Sequence, residues 1–357
     1  RYSGVLRVGS LTLEQEELGE GNPNLCLAIR NLLLNEIPSD VEESLDALRI
    51  RVERLRGELT LHSLEKRECF SSVAGADAGS QILPLASRRY PVVDALVYET
   101  PSGSRFFLPP LSLSFPYTIS DERFRGIVAV RRETLLYETL IEYLSHDPHV
   151  ELILVDGPLA FSNWWSMRGR RADRRRLIDA VNGFLRICRE RGIAVASIVK
   201  RPSARYLIYH LGLKEETELP DAFLLLHLLR PGERTGLFSP REALRRVVRS
   251  APLMDALEFS VYSFYCRLTS DWSIPPIRVD IPDFSLSLID EIADHCYWSS
   301  MWWGIPLPIL RADEEVRISK RLIADIYSEI IGRVGRLIGD ISYLAPYWGE
   351  GRWMGTS

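Results

Sequence analysis

Lysine is nearly missing from this chain. Lys66, Lys200, Lys214 and Lys320 are four among 357 residues, so 44 basic residues leave 40 arginines. That scarcity removes the Lys and Glu enrichment that marks hyperthermophilic proteins. The arginine excess either supplies rigid forks for phosphate or follows the base composition of the genome. Cysteine is also sparse. Cys26, Cys69, Cys188, Cys266 and Cys296 are odd in number and form no CxxC pair, which argues against a zinc site and a disulfide framework. No apolar run approaches the roughly 20 residues that span a bilayer, and "DAFLLLHLLR" is broken by His227. "RYSGVLRVGS" has no signal-peptide core, so the expected setting is a reducing cytoplasm. A net charge of −4 excludes a protein coated in positive charge.

What is present is an ordinary globular composition, 46% hydrophobic and 26% charged, long enough for one large domain or two. Leu45, Leu48, Val52, Leu55 and Leu59 recur at helical spacing and predict a helix over 41–67, within an N-terminal segment 1–70. Strands are expected at 72–77, 91–99 and 104–113, with "PSG" at 101–103 as a hairpin turn. A helix over 131–145, a buried strand "HVELILVDGPL", a helix over 172–191 and a buried strand "GIAVASIVK" follow. Three consecutive strands, helix, strand, helix, strand is the order of a ribonuclease-H-like α/β core, here 71–205. Residues 206–357 read as an appended α+β block packed on that core.

"SSVAGADAGSQILPL" (71–85) reads as an apolar strand that stops at Asp77 and turns on small residues, and "ELILVDGPL" ends in the same way at Asp156. In the inferred topology these strands are neighbours and parallel, so the two carboxylates meet. Like charges at adjacent strand tips repel unless a proton or a cation lies between them. Mg²⁺ or Mn²⁺ suits such oxygen ligands; alternatively each Asp caps a turn. A third carboxylate is expected from helix 131–145. Its buried face centres near Glu133, while Glu138 and Glu142 point away from that centre.

Taken together, "VAGADAGSQILPL", "ELILVDGPL", "GIAVASIVKRP", "LPDAFLLLHLLRPGERT", "FYCRLTSDWSIPPIRVDIP" and "GIPLPILRADEEVRIS" resemble, in order, the motifs of the NurA nucleases, over about 70–335. The resemblance implies a Mn²⁺-dependent (or Mg²⁺-dependent) DNA nuclease. Its expected activities are single-strand endonuclease and 5′-to-3′ exonuclease. It further implies a homodimer serving a HerA-type hexameric ATPase in end resection and double-strand break repair. It puts Asp77, Glu138 and Asp156 at the metal and Lys200 in the catalytic set; Glu133 remains the rival for the middle position from helix periodicity, and Asp313 joins the catalytic set because a carboxylate can bind a metal or orient water. Ala78 stands where the family has glycine, and Ile305 and Asp313 stand where it has tyrosine and histidine. Those departures support a second expectation, a weakened paralogue that binds DNA or scaffolds the ATPase.

Other features carry two readings each. The run "SMRGRRADRRRL" places Arg168, Arg170 and Arg171 after Asp156, with Trp164 and Trp165 just before it. They would grip phosphates and stack bases, or form a solvated helix face over buried indoles. His295 is expected to be structural, and Trp298, Trp302 and Trp303 are expected in the core or at a dimer contact. "APYWGEGRWMGTS" reads as a tail with aromatic anchors for a partner.

Overall fold

The computed structural model describes residues 23–85, 88–161, 169–214 and 219–338. The chain divides into two compact units, one up to Glu58 and one from Leu59 onward. The first holds a helix α1, described over Pro23–Glu58. The expected helix over 41–67 is thus longer at its start and shorter at its end. Leu61–Ser63 (β1) is instead a strand paired with Glu233–Thr235.

The second unit is built on one mixed sheet of ten strands. They are β1, β2 (Val73–Pro84), β3 (Arg89–Thr100), β4 (Arg105–Phe107), β5 (Leu111–Ser112), β6 (Leu152–Asp156), β7 (Ala194–Val199), β8 (Glu233–Thr235), β9 (Val261–Arg267) and β10 (Ile277–Pro282). Their order is β1-β8-β9-β10-β7-β6-β2-β3-β4, with β5 on β3. β2, β6 and β7 run parallel, and the other pairings are antiparallel. This is the ribonuclease-H-like arrangement, and β10 joins β7 so that the later strands extend the same sheet. The expected third strand is split into β4 and β5 by Pro109 and Pro110, which offer no N–H to a ladder.

α2 (Asp121–Ser145) and α3 (Arg171–Arg191) cover one face of the sheet. Tyr137 and Phe184 are fully buried there with ring centroids 5.7 Å apart. α4 (Ile289–Ser299) and α5 (Leu307–Glu315) cover the other face. Ile292, Cys296 and Ile309 pack there against Val73, Leu152, Leu154, Ala196 and Ile198. Each such side chain contributes about 1.5–3 kcal/mol when fully buried. α6 (Lys320–Ile338) follows, and its Ile323 packs on Leu83 and Leu85 at the far end of β2. Among the described residues no helix is long and apolar enough to cross a membrane.

Candidate metal centre

Strand periodicity builds the centre. Val73, Leu152, Leu154, Ala196 and Ile198 face α4 and α5, and side chains two residues apart share a face. Continuing each row by its period brings three polar side chains to the same face: Asp77 within β2 where its pairing with β6 stops, Asp156 at the end of β6 and Lys200 just past β7. The apolar run stops on each strand where the polar residue begins. β2 does not end at Asp77, as the sequence reading had it. Its pairing with β6 stops at Ala76↔Val155, while its pairing with β3 continues to Pro84↔Arg89. Asp77 is therefore flanked on one side only.

Gly75 and Gly79, the same-face neighbours of Asp77, explain how a fourth polar residue arrives. A Cβ on Gly75 would lie 2.2 Å from the Pro308 carbonyl carbon, and one on Gly79 would lie 2.5 Å from the Val316 carbonyl oxygen. The bare backbone lets α5 lie directly on β2, in a contact no larger residue permits. Ile309 anchors the helix in the core, and Asp313, one turn later, reaches the strand tips.

Oxygens of Asp77, Asp156 and Asp313 lie within 4.8 Å of one another. Lys200 Nζ stands 2.6 Å from Asp313, 2.9 Å from Asp156 and 3.6 Å from Asp77. Arg317 holds the other oxygen of Asp313 at 3.0 Å. Burial first, then the Asp156 carboxylate, push Asp77 up to about 9, against the pull of Lys200 and of the Ala78 N–H. Burial also opposes ionisation of Asp313, but the hydrogen bond and charge of Lys200 outweigh it and hold this carboxyl below its usual range. Burial would strip Lys200 of its proton; the Asp156 and Asp77 charges keep it more firmly protonated than usual. Three convergent carboxylates, one of them forced towards its neutral form by burial and then by the Asp156 charge, are a donor set that fits a hard divalent cation.

These residues line a cavity of about 860 Å³. The NurA domain profile matches residues 71–318, which takes in β2 through α5. The chain belongs to the NurA family. The crystal structure of the NurA nuclease from Sulfolobus solfataricus matches with a TM-score of 0.61 and 18% identity, over 87% of this chain and 98% of that one. A NurA structure with manganese matches at 0.52 and 14%, over 84% and 98%. One with dAMP and manganese matches at 0.53 and 12%, over 85% and 97%. These identities speak for a shared NurA fold. No curated protein sequence matches the chain.

Within this NurA fold the two candidate glutamates part company. Glu133 is buried, lines the cavity and accepts a hydrogen bond from Arg132 at 2.8 Å. It approaches from the α2 face beside Gly157, whose φ of +106° is the conformation that calls for glycine there. Glu138 is not among the cavity-lining residues and grips Arg176 of α3 through both oxygens, at 2.7 and 3.0 Å. Arg170 and Arg171 are exposed at the start of α3 and do not line the cavity. Arg168, Trp164, Trp165 and the C-terminal "APYWGEGRWMGTS" lie outside the described residues. His295 is buried and accepts the Cys69 and Phe70 N–H groups at 3.3 Å, a structural role. Trp298, Trp302 and Trp303 are exposed rather than in the core. Sequence reading passed over Arg132, Arg201 and Arg317, which also line the cavity. Position carried a signal for each: they adjoin Glu133, adjoin Lys200, and follow Asp313 by one helical turn.

Proposed function

We propose that this chain is a divalent-metal-dependent deoxyribonuclease. The observation that carries the reading is the convergence of Asp77, Asp156 and Asp313 on one point beside Lys200, in a chain of the NurA family. Asp77, Asp156 and Asp313 would hold the ion, with Glu133 rather than Glu138 as the further carboxylate of the cavity. Manganese in related NurA structures supports Mn²⁺, and Mg²⁺ fits the same oxygen donors. Such an ion supplies the positive charge that activates a water and stabilises a departing oxygen in phosphodiester hydrolysis.

The remaining groups perform what the chain alone can do. Lys200, at the mouth of the three carboxylates, would neutralise the phosphate. Arg201 and Arg317 meet the flanking phosphates. Glu133, ion-paired to Arg132, accepts the proton of the attacking water. Arg170 and Arg171 take a more distant stretch of the strand. The bound dAMP of a related NurA structure supports DNA as the substrate. We further assign to this chain the family's setting: a homodimer acting on DNA ends with a HerA-type ATPase in resection and break repair, with single-strand endonuclease and 5′-to-3′ exonuclease activity.

The test is cleavage of labelled single- and double-stranded DNA by the purified chain with and without Mn²⁺. Cleavage that needs the metal, and disappears in Asp77→Ala and Asp156→Ala, supports the reading; a rate unchanged in both variants sinks it. Ile305 and Asp313, at the family's tyrosine and histidine positions, favour a second reading, a weakened paralogue that scaffolds the ATPase. Calorimetry separates the two, since a scaffold takes up no Mn²⁺.

A further inference from the structure

Tryptophan is on average a largely buried residue. Here Trp272 is 80%, Trp302 79% and Trp303 61% exposed. Their backbones are nonetheless firmly tied. Ser300 bridges Pro306, Gly304 N–H donates to the Met301 carbonyl at 2.8 Å, and Thr269 Oγ1 donates to the Trp302 carbonyl at 2.9 Å. Gly304 has a φ of +63° and sits so close that a Cβ would meet Thr269 Cγ2 at 3.0 Å. Thr269 also accepts the Asp271 N–H at 3.2 Å, and Asp271 accepts the Ser273 N–H at 2.8 Å, which fixes the loop carrying Trp272. Two cross-tied turns thus hold indoles out in water.

This patch is continuous with the candidate centre. Trp303, Ser273 and Ile274 line the same cavity as Asp77 and Asp156, and so do the cations Arg132, Lys200, Arg201 and Arg317. Arg201 is exposed and has no ion-pair partner among the described residues. An occupant that meets indoles and guanidinium groups together must alternate apolar faces with negative charge. A single nucleic-acid strand does so at every nucleotide, whereas a duplex keeps its base faces stacked within itself. An apolar protein face would leave Arg201 unmatched, the one of these four cations that no carboxylate among the described residues already pairs.

We propose that Trp303, which lines the cavity, together with Trp302 and Trp272 on the two turns tied through Thr269, forms a stacking platform for bases of a single strand whose phosphate lies at the acidic centre. The proposal rests on the nuclease reading and adds to it the side chains that hold the unpaired bases. The test compares binding of labelled oligo(dT) and of an abasic oligomer of equal length, which keeps the phosphates and lacks the bases. Binding is followed by fluorescence anisotropy in EDTA across a salt series. Wild type binds oligo(dT) about tenfold or more tightly than the abasic strand. Trp302→Ala/Trp303→Ala loses that preference with its salt slope unchanged, and Trp302→Phe/Trp303→Phe recovers most of it. A wild type that cleaves DNA in Mn²⁺ but binds both oligomers equally overturns the platform and leaves the nuclease standing. So does a double-Ala variant that keeps the preference; if that variant also falls to lower mass in sedimentation, the patch is a contact between copies of the chain. A wild type that neither binds nor cleaves DNA overturns both readings.

Discussion

Asp280 and Asp77 are both buried carboxylates on one sheet, and their surroundings are opposite. Asp280 on β10 is completely enclosed and saturated with donors. Arg278 holds it at 2.8 and 3.1 Å, Ser263 donates at 2.6 Å and the Ala160 N–H at 3.0 Å. Asp77 receives the Ala78 N–H at 2.7 Å and stands 3.6 Å from one lysine, which it shares with two other acids. A carboxylate that serves the fold has its lone pairs filled. One that is crowded by like charge stores repulsion that a cation relieves, at a cost to the metal-free fold.

The contrast breaks most sharply by neutralising each acid. Asp77→Asn is expected to lower Mn²⁺-dependent cleavage by at least about 10³-fold. In EDTA its melting temperature should stay at or above the wild-type value, because the substitution removes repulsion; calorimetry reads the second effect and a gel assay the first. Asp280→Ala strands the buried Arg278 and should cost about 3–5 kcal/mol in urea unfolding. A milder loss would mean that Asp280 is as poorly satisfied as Asp77, and the comparison fails.

The pH dependence comes next in size. Burial pushes His295 down to about 4 from an ordinary 6.5. Its contribution is therefore whole above pH 6.5, where neither state is protonated. It is lost as pH falls towards 4, because the unfolded chain takes up the proton first. About 2 kcal/mol should disappear between pH 7 and pH 4.5, measured as the change between those two pH values in the stability difference of wild type and His295→Gln.

The smallest effects separate the glutamates. Glu133→Gln should slow cleavage about 100-fold. Glu138→Gln should leave the rate within about twofold and stability within about 1 kcal/mol, since it breaks only a partly exposed pair with Arg176. Equal losses in the two variants would restore Glu138 to the centre.

Local pattern reached far in this chain. The runs into Asp77 and Asp156, the alternation that sets their faces and the order of elements around them were legible because a strand's period of two is a property of the backbone. Its failures were also local. Gly79 and Ser80 look like a turn, yet β3 pairs β2 along its whole length and holds them extended. The motif resemblance favoured Glu138, while helix periodicity favoured Glu133. The packing of α2 on the sheet put Glu133 on the cavity and left Glu138 to α3.

Residue order was thus enough to specify the apolar runs that lead into Asp77 and Asp156 and the face those two side chains take, though not where β2 ends. How closely α5 lies on β2, and hence whether Asp313 meets Asp77, could not be read from order. That distance depends on two glycines in one element and a helix more than 200 residues away, brought together by packing. Contacts of that range are set by the shape of the folded core, and no window along the chain contains both partners.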